Sequence, residues 1–229
     1  MSAADAKIIK EEPLDPREAR WTRLVKTTYT DPLNQTRDWE SAQRTTRPEG
    51  AAIDGVGILA FLVDPKSPTA PPRLLMQKQF RPPVAKVCIE VPAGLIDAGE
   101  SAETCALREL REETGYIGRA IASPGSSAHA TVSPIMYNDP GFCNCNLQMV
   151  HVEIDVTAPE NADGVRQTQL EENEFIECFS VELGNLYAEC VRLEKEGYAI
   201  DARVGTLAEG IEAAKKWAGV LNTSEPFSA

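Results

Sequence analysis

The sequence predicts a mixed α/β domain, that is, an α+β arrangement around a mixed sheet, and three observations carry that reading. Short runs rich in β-formers recur on both sides of one strongly acidic helical segment, Gly and Pro clusters punctuate them, and the C-terminal part changes to apolar residues at helical spacing. A chain of 229 residues with 42% hydrophobic side chains suits one folded domain with extensions.

Residues 1–18 are charged and broken by prolines, which predicts a flexible N-terminal tail. The runs 23–30 (RLVKTTYT) and 36–46 (TRDWESAQRTT) flank Asp31-Pro32-Leu33-Asn34, a turn signal, so residues 19–50 are expected to form an antiparallel β-hairpin region. Val56–Val63 reads as a buried strand, the proline-rich stretch 64–72 as a loop, and RLLMQKQF (73–80) as a second strand. A short strand at Cys88–Val91 leads into Gly94 and the acidic helix. That helix is expected to start after Ser101, an N-cap with Glu103 in the first turn, and to close at Gly115. Leu107 and Leu110 are the residues expected to hold it to a core. Residues 120–136 read as a long loop, and 147–156 and 174–181 as strands. Helices follow over 182–196 and 200–218, with Leu183, Leu186, Tyr187 and Cys190, then Val204, Leu207, Ile211 and Trp217, as their apolar stripes. The main domain spans 51–220 and a C-terminal tail 221–229.

A formal charge of −12 argues against nucleic acid or an anionic membrane as partner, and requires that an anionic substrate be drawn in by a cation and specific arginines. The N-terminus has no apolar signal segment, and no run of about 18 apolar residues spans a membrane. Six cysteines, at 88, 105, 143, 145, 178 and 190, show neither disulfide nor zinc spacing, so reduced thiols and a cytoplasmic protein are expected, with the nucleus as the alternative compartment.

The chemistry is concentrated in GLIDAGESAETCALRELREETGY, residues 94–116. At about 100° per residue, Glu109, Glu112 and Glu113 fall within an arc of roughly 100° on one helix face. Like charges at i, i+3 and i+4 repel by a few tenths of a kcal/mol per pair, and a divalent cation reverses that sign. Closely spaced hard oxygens suit Mg2+, with Mn2+ as the substitute. A solvated acidic helix is the plain alternative for an isolated Glu-Glu pair, but here nine positions match together: Gly94, Glu100, Arg108, Glu109, Leu110, Glu112, Glu113, Gly115 and Tyr116.

This segment resembles the signature box of the Nudix hydrolases, with Tyr116 standing where the family usually has an aliphatic residue. The resemblance implies the α-β-α sandwich of that family and hydrolysis of a diphosphate joining a nucleoside to another group. It implies Glu109 and Glu113 as leading metal ligands, Glu112 as ligand to a further ion and the Ala93 carbonyl as another. Arg108 and Glu100 are expected to orient the carboxylates. A further glutamate after the box helps to bind metal or activate water in many members. Glu174 is the candidate, with Glu171, Glu172 and Glu177 as rivals.

The flanks KTTYTDP, TRDWESAQRTTR, QKQFRPPV and IEVPAGLIDAGE resemble the eukaryotic ADP-ribose and ADP-sugar branch of the family over about residues 21–214. That branch forms homodimers whose N-terminal segments cross between subunits. Carried onto this chain, the resemblance implies Trp21 and Trp39 as the adenine-stacking pair and Glu40 and Arg44 as base and phosphate surroundings. It further implies Arg81 as a phosphate or ribose contact, Leu95 as a lining residue and Asp139 as a terminal-ribose contact. Other nucleoside diphosphate derivatives, such as NADH or oxidised nucleoside diphosphates, and a non-catalytic nucleotide-binding role remain the alternatives. The intact set of box glutamates favours an enzyme.

Overall fold

A computed structural model describes residues 3–123 and 130–221. Residues 1–2, the centre of the expected long loop (124–129) and the expected C-terminal tail from residue 222 on lie outside the described residues. In chain order the elements are β1 (Thr22–Thr30), β2 (Thr36–Arg44), β3 (Gly55–Val63), β4 (Arg73–Arg81), β5 (Lys86–Glu90), β6 (Ala93–Leu95), α1 (Ala102–Thr114), β7 (Arg119–Ala120), β8 (Met136–Tyr137), β9 (Asn146–Asp155), β10 (Ile176–Glu182), α2 (Leu186–Lys195), β11 (Ala199–Ile200) and α3 (Ala202–Leu221). The class is the mixed α/β one that the sequence predicts. The chain forms two compact units. One holds Leu62–Val91 with the described parts of Met1–Lys7 and Leu170–Ala229, and the other holds Ile8–Phe61 and Pro92–Gln169.

In the unit carrying α1, the expected hairpin pairs β1 with β2 antiparallel from Thr22↔Arg44 to Thr30↔Thr36. Its turn is set by Asp31, whose Oδ1 accepts the backbone N–H groups of Leu33 (2.9 Å) and Gln35 (2.8 Å), while Asn34 takes a left-handed φ of 58°. In the same unit β3 neighbours β9, β6 pairs with β3, and the short β7 and β8 pair with β9. Val56, Ile58 and Ala60 of β3 and Val150, Val152 and Ile154 of β9 are buried. The starts of these two strands are locked by a polar cluster. Arg47 donates to both oxygens of Asp54 (2.9 and 2.7 Å), and Asn146 exchanges two hydrogen bonds with Asp54 (3.0 and 2.9 Å).

Ser101 caps α1 as expected, its Oγ accepting the N–H of Thr104 at 3.1 Å, and Gly115 ends the helix at φ 70°. The helix packs on β6 and β9. Its buried residues are Cys105, Ala106 and Leu110, whereas Leu107 is only half-buried and lines an open cavity. Leu107 therefore does not hold the helix to the core as Leu110 does. It lies about 60° round the helix from Leu110, and the close approach is made by the small Cys105 and Ala106 instead.

In the other unit β4 pairs antiparallel with β5 and β10, and β11 runs parallel to β5. Leu74, Leu75 and Met76 are buried in succession, so β4 lacks the alternation of a strand with one wet face. Leu186 and Leu193 of α2 and Val204 and Ala208 of α3 close this core. Three residues of 3-10 turn, Leu183–Asn185, delay α2 relative to the expected start. Trp217 is 54% exposed with non-helical φ/ψ and does not extend the apolar stripe of α3. At the other end of the chain, Ala3 is buried and its N–H donates to Glu177 at 2.9 Å, so the segment expected as a loose tail is anchored at Ala3.

Candidate active site

Gly94 is where the backbone and the acidic helix come closest. A Cβ there would stand 2.0 Å from Oε1 of Glu109, and a Cβ on Gly55 would stand 2.2 Å from the Gly94 carbonyl oxygen. Both positions need glycine because the Gly94 peptide lies between β3 and the Glu109 carboxylate. One residue earlier, the Ala93 N–H donates to Oε2 of Glu113 at 3.1 Å. Glu113 is 4% exposed and lies in the wall of the site rather than on its surface. The loop before α1 and the helix itself thus gather Ala93, Glu109 and Glu113 in one place.

Arg108 organises the remaining carboxylates. Its Nε and Nη2 reach Glu100 (3.0 and 2.9 Å), Nη1 reaches Glu109 (2.8 Å) and Glu112 (3.1 Å), and Nη2 also meets the Leu95 carbonyl (3.2 Å). These hydrogen bonds hold the Glu100 carboxyl below the usual carboxylate range, against the opposing effect of burial. The same bonds to Glu100 raise the Arg108 guanidinium further above its already high value. Beneath the helix, burial pushes the Cys105 thiol up to about 12, so it is a packing group and not a nucleophile. The donor set of Glu109, Glu112, Glu113 and the Ala93 main chain is all hard oxygen, and the space beside Gly94 that a Cβ would fill is kept open for it. These residues fit a divalent cation. Next to Glu112, an open cavity of about 570 Å3 is lined by Thr104, Leu107, Arg108, Arg111 and Gln169.

Of the expected nucleoside contacts, Trp39 and Asp139 come together. The indole N–H of Trp39 donates to the Gly141 carbonyl at 3.0 Å, in the turn closed by bonds from the N–H groups of Phe142 and Cys143 to the Asp139 carbonyl. The Ala42 N–H donates to Phe142 at 2.9 Å, fixing that turn along β2. Trp21 and Trp39 are 68% and 52% exposed. They share one face of the hairpin, since Trp39 stands opposite Thr27 and Trp21 is bonded to Thr45. Glu40 and Arg44, at alternate positions, share the other face, and Leu95 is exposed on β6.

Arg81 and Glu174 belong to the unit that holds β4 and β10. Arg81 ends β4 and donates through Nε to both oxygens of Glu90. Glu174 is half-buried in a turn just before β10, its N–H donating to the Glu171 carbonyl and its Oε2 accepting the Glu171 N–H, both at 3.0 Å. Its rivals differ in setting: Glu171 and Glu172 are exposed, and Glu177 accepts the Ala3 N–H. Two residues that shape these contacts were not foreseen from the sequence. The Gly141 carbonyl carries no side-chain signal, but Glu90 did carry one, as a carboxylate inside the apolar run Cys88–Val91.

The sequence profile of the NUDIX domain matches residues 54–200. The chain is 51% identical over 216 residues to a Saccharomyces cerevisiae protein named ADP-ribose pyrophosphatase, covering 93% of this chain and 87% of that one. It is 37% identical over 189 residues to the ADP-sugar pyrophosphatase of Mus musculus, 82% of this chain and 79% of that one. Similarity to an ADP-ribose pyrophosphatase of Bacillus subtilis, 36% over 111 residues, spans about half of each chain, 48% and 52%.

Proposed function

The chain belongs to the Nudix family, and from that membership we propose that it hydrolyses the diphosphate bond of ADP-ribose and related ADP-sugars, releasing AMP and a sugar phosphate, with Mg2+ as its cation. Membership carries the α-β-α sandwich fold, and a need for a divalent metal is general in the family. The observation that bears most weight is the intact carboxylate cluster around Gly94, in a chain matching an enzyme named for ADP-ribose over 93% of its length.

In this reading Glu109, Glu112 and Glu113, with the Ala93 carbonyl, hold the cation, and Glu174 either joins them or takes a proton from the attacking water. A bound divalent ion supplies charge neutralisation at the diphosphate oxygens and a lowered water pKa. Arg108 keeps three carboxylates from springing apart, so less reorganisation is needed when substrate arrives. Water adds to a phosphorus, the bond to the bridging oxygen breaks, and that oxygen leaves with the other phosphate. Arg81 contacts phosphate, Asp139 the terminal ribose, Leu95 lines the site, and Glu40 and Arg44 serve the base and adjoining phosphate.

A homodimer belongs to the same proposal, supported by the hairpin geometry. Trp21 and Trp39 point to one face but lie six positions apart along β2, roughly 20 Å at about 3.3 Å per residue. Two rings sandwiching one adenine stand only about 7 Å apart. One hairpin therefore cannot close both rings on a base, whereas Trp39 of one copy and Trp21 of a second can. The test is a substrate panel of ADP-ribose, ADP-glucose, NADH, FAD and 8-oxo-dGDP assayed with Mg2+, with products identified. ADP-ribose or ADP-glucose should give the highest kcat/KM, with AMP as product. A clear preference for NADH or 8-oxo-dGDP would contradict the reading.

A further inference from the structure

Arg81 is held at one end only. Its Nε lies 2.9 and 3.2 Å from the two oxygens of Glu90, which ends the neighbouring strand β5. The Glu90 side chain is 7% exposed and that of Arg81 is 40% exposed. Among the described residues, no acceptor bonds either terminal nitrogen of Arg81. The guanidinium is thus fixed through its inner nitrogen while its outer fork, the part that matches two oxygens of a phosphate, stays available.

Glu90 is costly to keep where it is. Burial pushes its carboxyl up from the ordinary value, and the nearby Asp201 adds to that, while Arg81 and the more distant Arg203 oppose it. Arg203 is bonded to Asp201 through Nε (2.8 Å) and Nη2 (2.9 Å), which leaves Arg81 as the cation hydrogen-bonded to Glu90. A buried ion pair is a weak source of stability, and an apolar pair of similar volume would serve the strand pairing at least as well. An arginine otherwise loses much rotamer freedom when it grips a ligand, and holding it beforehand removes that loss from the binding step.

We propose that Glu90 is a positioning residue: it holds Arg81 by Nε so that both terminal nitrogens meet a phosphate of the nucleoside diphosphate substrate as a preformed fork. This rests on the reading above, in which Arg81 contacts that phosphate. The test is steady-state hydrolysis of ADP-ribose with Mg2+ by the full chain and its Glu90→Gln, Arg81→Gln and doubly substituted forms, with thermal midpoints measured alongside. Arg81→Gln should raise KM by about tenfold, the scale of one lost charge-assisted contact. Glu90→Gln should raise KM by about fivefold on the same scale, with kcat within about twofold, because it acts on binding through Arg81. The double substitution should be no worse than Arg81→Gln alone. A Glu90→Gln effect that falls on kcat, or that adds in full to Arg81→Gln, overturns the proposal. An Arg81→Gln form with wild-type KM overturns it while leaving the substrate reading intact, whereas a wild-type protein inert toward ADP-ribose removes both. Should Glu90→Gln not fold, Glu90→Asp keeps the charge but is one methylene short. It should show the same KM rise, and a folded Glu90→Asp form with wild-type KM overturns the proposal.

Discussion

In the acidic helix, Glu100, Glu109 and Glu112 share Arg108, Glu113 takes the Ala93 N–H, and Leu110 is buried beneath them. The β1–β2 hairpin, by contrast, leaves most of β1 exposed, including Leu24, and carries Trp21 and Trp39 with their rings in solvent. Two strands alone are marginal in water, and this pair is tied to the turn at 139–143 by the Trp39 and Ala42 hydrogen bonds. The difference separates two tasks. The groups that act on the diphosphate are complete within one stretch of chain, while the aromatic surface for the nucleoside is half of something and needs a second copy to finish it.

The strongest way to break the helix half of that comparison is Glu113→Gln. It keeps the shape and an acceptor for the Ala93 N–H but removes the charge, and kcat should fall about 100-fold or more with the thermal midpoint little changed. Retention of most activity at saturating Mg2+ would show that Glu113 is no ligand. Gly94→Ala attacks the same cluster through space: the new Cβ would overlap the Glu109 carboxylate and force it aside. An activity loss of about tenfold or more is expected, with destabilisation of about 1–3 kcal/mol in a denaturant titration. A fully active Gly94→Ala protein would mean that the Glu109 position is unimportant.

The legibility of the sequence follows the same division. The caps at Ser101 and Gly115 and the arc of Glu109, Glu112 and Glu113 depend on local spacing, so α1 could be read without its surroundings. The hairpin turn was equally legible from Asp31 to Asn34. Strands β6 and β11, with three and two residues, are too short for any period and exist because a neighbouring strand offers a ladder. That Trp21 and Trp39 fall on one face, and Glu40 and Arg44 on the other, follows from register, which only the pairing reveals. Burial of Ala3 against the expected tail, and the grip of Glu90 on Arg81, are long-range contacts that no local pattern encodes.

On the hairpin side, Trp39→Ala should raise KM for ADP-ribose by roughly tenfold, from a stacking contribution of about 1–3 kcal/mol, and change kcat much less. A change confined to kcat would place Trp39 outside the binding surface. The smallest effect concerns acid stability in the unit shared by helix and hairpin. Burial lowers the His151 pKa, so the folded chain keeps it neutral while the unfolded chain takes up a proton below about pH 6.5. Its contribution is therefore undiminished above the unfolded pKa and is lost as pH falls below it, until the lower folded pKa is reached. Between pH 7 and 5.5 the thermal midpoint should drop by about 2 °C more in the wild type than in His151→Gln. Identical slopes would show that His151 does not contribute.

The claim that the nucleoside surface is completed by a second copy has its most direct test in a mixed dimer of one Trp21→Ala chain and one Trp39→Ala chain, isolated with two different affinity tags. If each adenine is held by Trp21 of one copy and Trp39 of the other, the mixed dimer carries both lesions in one site and none in its second. It should then turn over ADP-ribose with the wild-type KM at about half the wild-type kcat, although each parent homodimer has a raised KM. A mixed dimer whose sites all show the raised KM, or an active protein that stays monomeric at assay concentration, would contradict the account.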